Sequence, residues 1–360
     1  MKAIKFFAIS AMAAAMITSC STDDELSQSN YPSDNIVRVT AGVNNAKTRA
    51  EGQGVTAMDK PFSLTIVNRN TESTELAAKY TYKDKVFSKS SSGDWTCSET
   101  LLWQKATTPV DIVAFAPAQD GKFNGVCDND RNIKPITYSV ASDQSTSSDN
   151  NDLLYYYAPG FNPGKSLVDK KLNIQFNHAF CMIDIVVTLG TEFNKPNVLK
   201  ESPIVKVTLG GTKIAASVDV TNAATSNTTG SAEGSTAGST TTTTASIVTA
   251  SGEATDITTT KGSFTPAENA DKKADPEANA ISRFSCIAIP QTVGANTFKV
   301  SLMTAGKLYE WTSDKEITLQ SGYRYTLNLS MGNDVVLLKG GSITATPWTE
   351  ITSDKPLETD

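Results

Sequence analysis

The strongest constraint on the fold is a periodicity of two. From residue 60 onward the chain is a succession of short alternating runs separated by turn residues, with no long stretch of 3.6-residue period. Phe62-Ser63-Leu64-Thr65-Ile66 alternates apolar and polar, as do Tyr80-Thr81-Tyr82 and Ile136-Thr137-Tyr138-Ser139-Val140. Ser91-Ser92-Gly93-Asp94 reads as a hairpin turn before Trp95. Val110 to Ala116 is mostly apolar, the pattern of a central strand, and Pro117 ends it because a proline nitrogen cannot donate to a ladder. Leu172 to Phe176 alternates, and the parity then changes across Asn177-His178-Ala179. Cys181, Ile183, Ile185 and Val187 carry the pattern onward, which predicts a bulge or corner followed by the closing strand of a first domain.

The second half continues in the same way. Strands are expected over Ile204–Leu209, Lys213–Val220, Phe284–Ile289, Phe298–Thr304, Leu308–Trp311, Arg324–Leu329, Val335–Leu338 and Ser342–Thr346. Regular short strands with turn signals predict an all-β chain with a β-sandwich in each half. A length of 360 residues suffices for two such cores, here taken as 50–190 and 191–360. Thr221 to Thr260 is made largely of Ser, Thr, Ala and Gly, too polar to bury a core. It is expected to be a surface insertion, with Ile247-Val248 touching down as a short strand.

The amino-terminal stretch carries different information. Met1-Lys2-Ala3-Ile4-Lys5 is a basic n-region and Phe6 to Ile17 an apolar h-region too short for a transmembrane span. Ile17-Thr18-Ser19-Cys20 resembles a bacterial lipobox, with Cys20 as the lipidated residue and 1–19 as the removed signal peptide. Ser21-Thr22-Asp23-Asp24-Glu25 follows, an acidic cluster that resembles a surface-export signal of Bacteroidetes lipoproteins. In Asn35 to Ala50, Val37, Val39, Ala41 and Val43 share one parity and Ile36, Arg38 and Thr40 the other, as in a half-buried strand. Asn44 to Ala50 is polar and basic, an accessible loop in which a trypsin-like protease takes Arg49 as its P1 residue, ahead of Ala50. Residues 20–49 then read as a lipidated pro-segment that carries a removable strand.

Several chemistries find no support. The net charge of −6 argues against nucleic acid and against a polybasic membrane patch. His178 is the only histidine, so neither a Ser-His-Asp set nor zinc chemistry has a second imidazole to draw on. Asp128-Asn129-Asp130-Arg131-Asn132 starts like a calcium loop, but Ile133 stands where the turn glycine belongs and Ser139 where the bidentate glutamate belongs. Gly160 to Ser166 resembles a phosphate loop one residue short, with Pro159 in the first glycine position. No pair of carboxylates stands out for glycoside hydrolysis. Cys97, Cys127, Cys181 and Cys286 are scattered without a CxxC pair, which favours small buried thiols over bridges. No enzyme activity, metal or cofactor is implied.

Spread along the chain are Leu101-Leu102-Trp103, Val113-Ala114-Phe115-Ala116-Pro117, Asp143-Gln144-Ser145, Asn151-Asp152-Leu153-Leu154 and Phe176-Asn177-His178-Ala179-Phe180. Cys286 to Thr292, Tyr309-Glu310-Trp311, Ser321 to Tyr325 and Pro347-Trp348 follow. Together with the Cys20 lipobox and Thr48-Arg49-Ala50, in this order, they resemble the fimbrillin family of Bacteroidetes, the Mfa-like subunits of type V pili. The resemblance implies two tandem transthyretin-like β-sandwiches, an exported lipoprotein at the outer membrane, and cleavage after Arg49 by a trypsin-like protease. It implies further that Ile36–Val43 fills a groove later taken by a strand of another subunit. The implied donor is the carboxy-terminal pair within 335–348, with Val335, Val336, Leu337, Leu338 and Ile343 as its apolar side chains. The alternative is a lipid-anchored protein that never polymerises, keeps residues 20–49 and binds glycan or a host protein.

Overall fold

Alternation becomes strand nearly everywhere in the structure, a computed structural model that describes residues 30–44, 58–146, 149–194, 197–225, 246–268, 275, 277–333, 335–338 and 343–348. The first strands are β1 (Val39–Val43), β2 (Phe62–Asn68), β3 (Tyr82–Lys89), β4 (Trp95–Cys97) and β5 (Val110–Ala116). There follow β6 (Ile136–Ser139), β7 (Leu154–Phe161), β8 (Leu172–His178) and β9 (Cys181–Leu189). The second half adds β10 (Ile204–Gly210), β11 (Lys213–Val218), β12 (Val248–Ala254), β13 (Ile257–Thr258), β14 (Thr260–Thr265) and β15 (Ile281–Ala288). Last come β16 (Thr292–Val293), β17 (Lys299–Thr304), β18 (Leu308–Thr312), β19 (Ile317–Thr318), β20 (Tyr323–Met331), β21 (Val336–Leu338) and β22 (Thr344–Pro347).

Seven strands form one sheet in the order β1-β8-β7-β5-β2-β3-β4. Its two edge strands, β1 and β4, line a common cleft of about 470 Å³, so the sheet curls until its edges face each other. A second sheet runs β14-β15-β9-β20-β21, with β22 also on β20. The remaining strands form β13-β10-β17-β18, β12-β11-β6 and the short pair β16-β19, whose buried side chains share one cluster with those of the second sheet.

The buried apolar side chains fall into two clusters, one under the seven-stranded sheet and one in the second half. β5 serves both. Ile112, Ala114 and Ala116 face the first cluster while Val113 and Phe115 face the second, which is why the run lacks alternation. The parity change after His178 is the point at which the chain leaves one sheet for the other. Cys181–Val187, expected to close the first sandwich, instead lies between β15 and β20, antiparallel to one and parallel to the other. β6 likewise pairs with β11, opposite Ala215 to Val218.

Other expectations also shift. Tyr80 caps a short helix, α1 (Thr74–Lys79), whose amino end is held by Ser73, and β3 begins only at Tyr82. Part of the stretch assigned to a surface insertion is sheet: Val248 to Ala250 pair with Val218 to Ala216, and Ile257 pairs with Leu209. Residues 226–245 of that tract lie outside the described residues.

Candidate functional site

The segment before and within β1 is fixed by local chemistry. Asp34 accepts the Ile36 N–H at 3.1 Å and takes Arg38 in a two-pronged ion pair at 2.9 and 2.6 Å. Asn35 has φ of 57°, the left-handed turn that asparagine tolerates, so the chain enters the sheet abruptly. The Asp34 carboxyl is held well below the usual carboxylate range, first by the Arg38 side chain and then by the Ile36 amide.

From there the segment changes partner midway. The Val37 N–H donates to the Leu101 carbonyl at 2.9 Å and Trp103 donates to Asn35 at 2.8 Å, around an antiparallel bridge between Ile36 and Leu102. Past Arg38 it runs parallel to β8, Val39 opposite Leu172 and Val43 opposite Phe176, with Asn44 donating to the Phe176 carbonyl at 2.7 Å. Val37, Val39 and Val43 are buried in the first core, against a set that includes Phe62, Leu172, Ile174 and Phe176. Ala41 is half-buried against the same core, and Ile36 is half-buried at the bridge. Three buried valines at roughly 1.5–3 kcal/mol each make residues 37–43, bridge and strand together, a substantial stabiliser of this core. It remains an edge strand, with the cleft beyond it.

The carboxy-terminal segment covers the free edge of β20. Val336 to Leu338 pair with Met331 to Leu329, and Thr344 to Pro347 pair with Thr326 to Tyr323. β20 itself is tied to β9 by the buried ion pair of Arg324 with Asp184, whose carboxyl burial pushes upward. Val336 is buried, Val335 and Leu337 are exposed, and Ile343 is half-buried against the second core. Leu338 lies in the strand. Trp348 ends the described segment, donating its N–H to the Gly322 carbonyl at 2.6 Å.

The structure does not bring the two candidate strands together: β1 belongs to the seven-stranded sheet and β21–β22 to the second. Cys20, Arg49 and Ala50 lie outside the described residues. Of the described cysteines all four are free, Cys97 half-buried and Cys127, Cys181 and Cys286 buried. What sequence reasoning missed is a cluster at the junction of the sheets. His178 Nδ1 lies 3.0 Å from both oxygens of the fully buried Asp152, and its ring stacks on Trp348 with centroids 3.8 Å apart. Each residue sits in a stretch singled out above, but no spacing in the sequence says that they meet.

The model of a family described as fimbrillin-like matches residues 48–260 and 249–348. Among solved structures, a candidate cell adhesion protein from Bacteroides uniformis is 15% identical, with a TM-score of 0.51 over 88% of this chain and 100% of its own. Another from Bacteroides ovatus is 16% identical, with a TM-score of 0.53 over 86% of this chain and 95% of its own. At that identity the likeness is one of fold. Among curated proteins no sequence matches.

Proposed function

This chain belongs to the fimbrillin-like family, and from that membership we propose that it is a structural or adhesive subunit of a surface fimbria. In this reading it is exported as a lipoprotein acylated at Cys20, is cut after Arg49 and assembles by donor-strand exchange. In this reading the fold is a pair of tandem sandwiches of the transthyretin-like kind whose two cores meet at β5.

The observation that carries the reading is the position of β1. It is an edge strand, contributes two buried valines to the first core beside Val37 just ahead of it, and is followed in sequence by the basic stretch that holds Arg49. A strand so placed is removable without unthreading the fold, and its loss opens a groove with unpaired backbone groups on β8. An extended segment of another subunit fits such a groove by strand addition, ladder bonds giving grip and alternate side chains giving register. Val336 and Ile343 are apolar side chains suited to that role. The partners are then other fimbrillin subunits, a trypsin-like protease and the outer membrane.

The test is to treat the purified precursor with a trypsin-like protease and map the cut by mass spectrometry. Cleavage after Arg49 followed by detergent-resistant oligomers is expected, and Arg49→Ala should prevent both. A second reading draws on the pairing of residues 336–338 and 344–347 with their own β20, as a permanent hairpin would pair. It makes the protein a non-polymerising lipid-anchored receptor for glycan or a host protein. Persistent monomer after a clean cut favours it.

A further inference from the structure

The described parts of the carboxy-terminal segment, 335–338 and 343–348, are held to their sheet by few side chains. Val335 and Leu337 are 50% and 58% exposed, and of its described side chains only Val336 and Trp348 are buried. Its ladder to β20 is split between two short strands. Ladder bonds to an edge are exchanged for bonds to water or to a new strand at little net change in free energy. A buried indole is different, because its apolar area and ring contact are lost until something refills its place.

The place of Trp348 is unusual. Its ring lies nearly parallel to His178, 11° between planes, and His178 belongs to β8 of the other sheet. Behind the imidazole, Asp152 is wholly buried and its two oxygens are equidistant from Nδ1, which fixes the orientation of the ring. The indole, buried at the margin of the second core, is therefore also stacked on a side chain that the first half of the chain positions. Any peeling of the segment from the Trp348 end must separate this stack before a single β22 ladder bond opens.

We propose that Trp348, His178 and Asp152 form a clasp across the two sheets that decides whether residues 335–348 stay on their own β20 or leave for a second copy of this chain. The proposal rests on the reading of this segment as a donor strand. Trp348 is the moving part, His178 its seat, and Asp152 a positioning residue that acts through His178. Opening the clasp frees the segment and uncovers the β20 edge together. Assembly then awaits release at both ends of the molecule, not the amino-terminal cut alone.

Hydrogen exchange read by mass spectrometry on the full chain tests this. Trp348→Ala should speed exchange at residues 335–338 and 343–348 by about a hundredfold or more, the scale that truncating a buried tryptophan sets for local opening. Trp348→Phe, which keeps a ring, should speed it less, and Asp152→Asn should fall between wild type and Trp348→Ala. Protection of Val39–Val43 should not move. Unchanged exchange in Trp348→Ala overturns the clasp, as does a rise of equal size in β1 and β9, which would mean general destabilisation. Oligomer formation after the Arg49 cut separates the two ideas. Faster exchange with faster oligomers supports both, whereas faster exchange with no oligomers from any form supports the clasp and removes the donor reading.

Discussion

At the scale of single residues, the fold depends on pairings that no local pattern announces. Asp34 and Arg38 are both well exposed, so their ion pair adds little to global stability. Its role is to direct the chain into β1. Because the folded Asp34 titrates below its unfolded value, its contribution is present above the ordinary carboxylate range and is lost as pH falls from that range through the lowered folded value. Asp34→Asn should therefore speed amide exchange at residues 35–38 at neutral pH without a resolvable change in Tm, and wild type should approach the variant in acid. Burial pushes the thiols of Cys127, Cys181 and Cys286 upward, which keeps them protonated and inert. Alkylation of native protein at pH 8 should accordingly modify Cys97 first among these four, and Cys181 and Cys286 only on unfolding. His178 shows the limit of reading residues in line. A lone histidine at a strand corner is legible as structural, but its carboxylate and its tryptophan come from distant parts of the chain.

At the scale of elements, period-2 patterns located most strands because half-buried strands write their burial into alternation. β1 was legible in this way, down to the parity of Val37, Val39 and Val43. Its partner was not, since a parallel neighbour such as β8 is joined through most of the first half and leaves no turn signal. β12 was nearly invisible beyond Val248. Its Thr249-Ala250-Ser251-Gly252-Glu253 composition resembles the adjoining Ser/Thr tract, and pairing with β11, not side-chain burial, makes it a strand. Val39→Ala removes two methyl groups from a buried edge position, and urea unfolding should show a loss of about 1–3 kcal/mol. A loss below about 0.5 kcal/mol would mean that β1 is not part of the first core in solution.

At the scale of the whole molecule, the two halves interlock more than their sequence suggests. β5 packs into both cores, β6 pairs with β11, and β9 lies inside the second sheet. A division at residue 190 rests on local signals, the end of one alternating run and the start of the next, while the exchange of strands between halves is a long-range one. A fragment of residues 50–190 would carry β9 with both its edges unpaired. It should aggregate or remain unfolded by circular dichroism, whereas the full chain should unfold in one transition.

The central claim is that β1 keeps a place that another strand can take. The most direct measurement is native mass spectrometry of protein cut after Arg49, mixed with an excess of a synthetic peptide of residues 35–44 or a scrambled version. The native peptide should fill the vacated groove, remain bound one to one and hold the protein as a monomer, while the scrambled peptide lets oligomers grow. Oligomers that grow equally with both peptides, or a monomer that binds neither, would contradict the account.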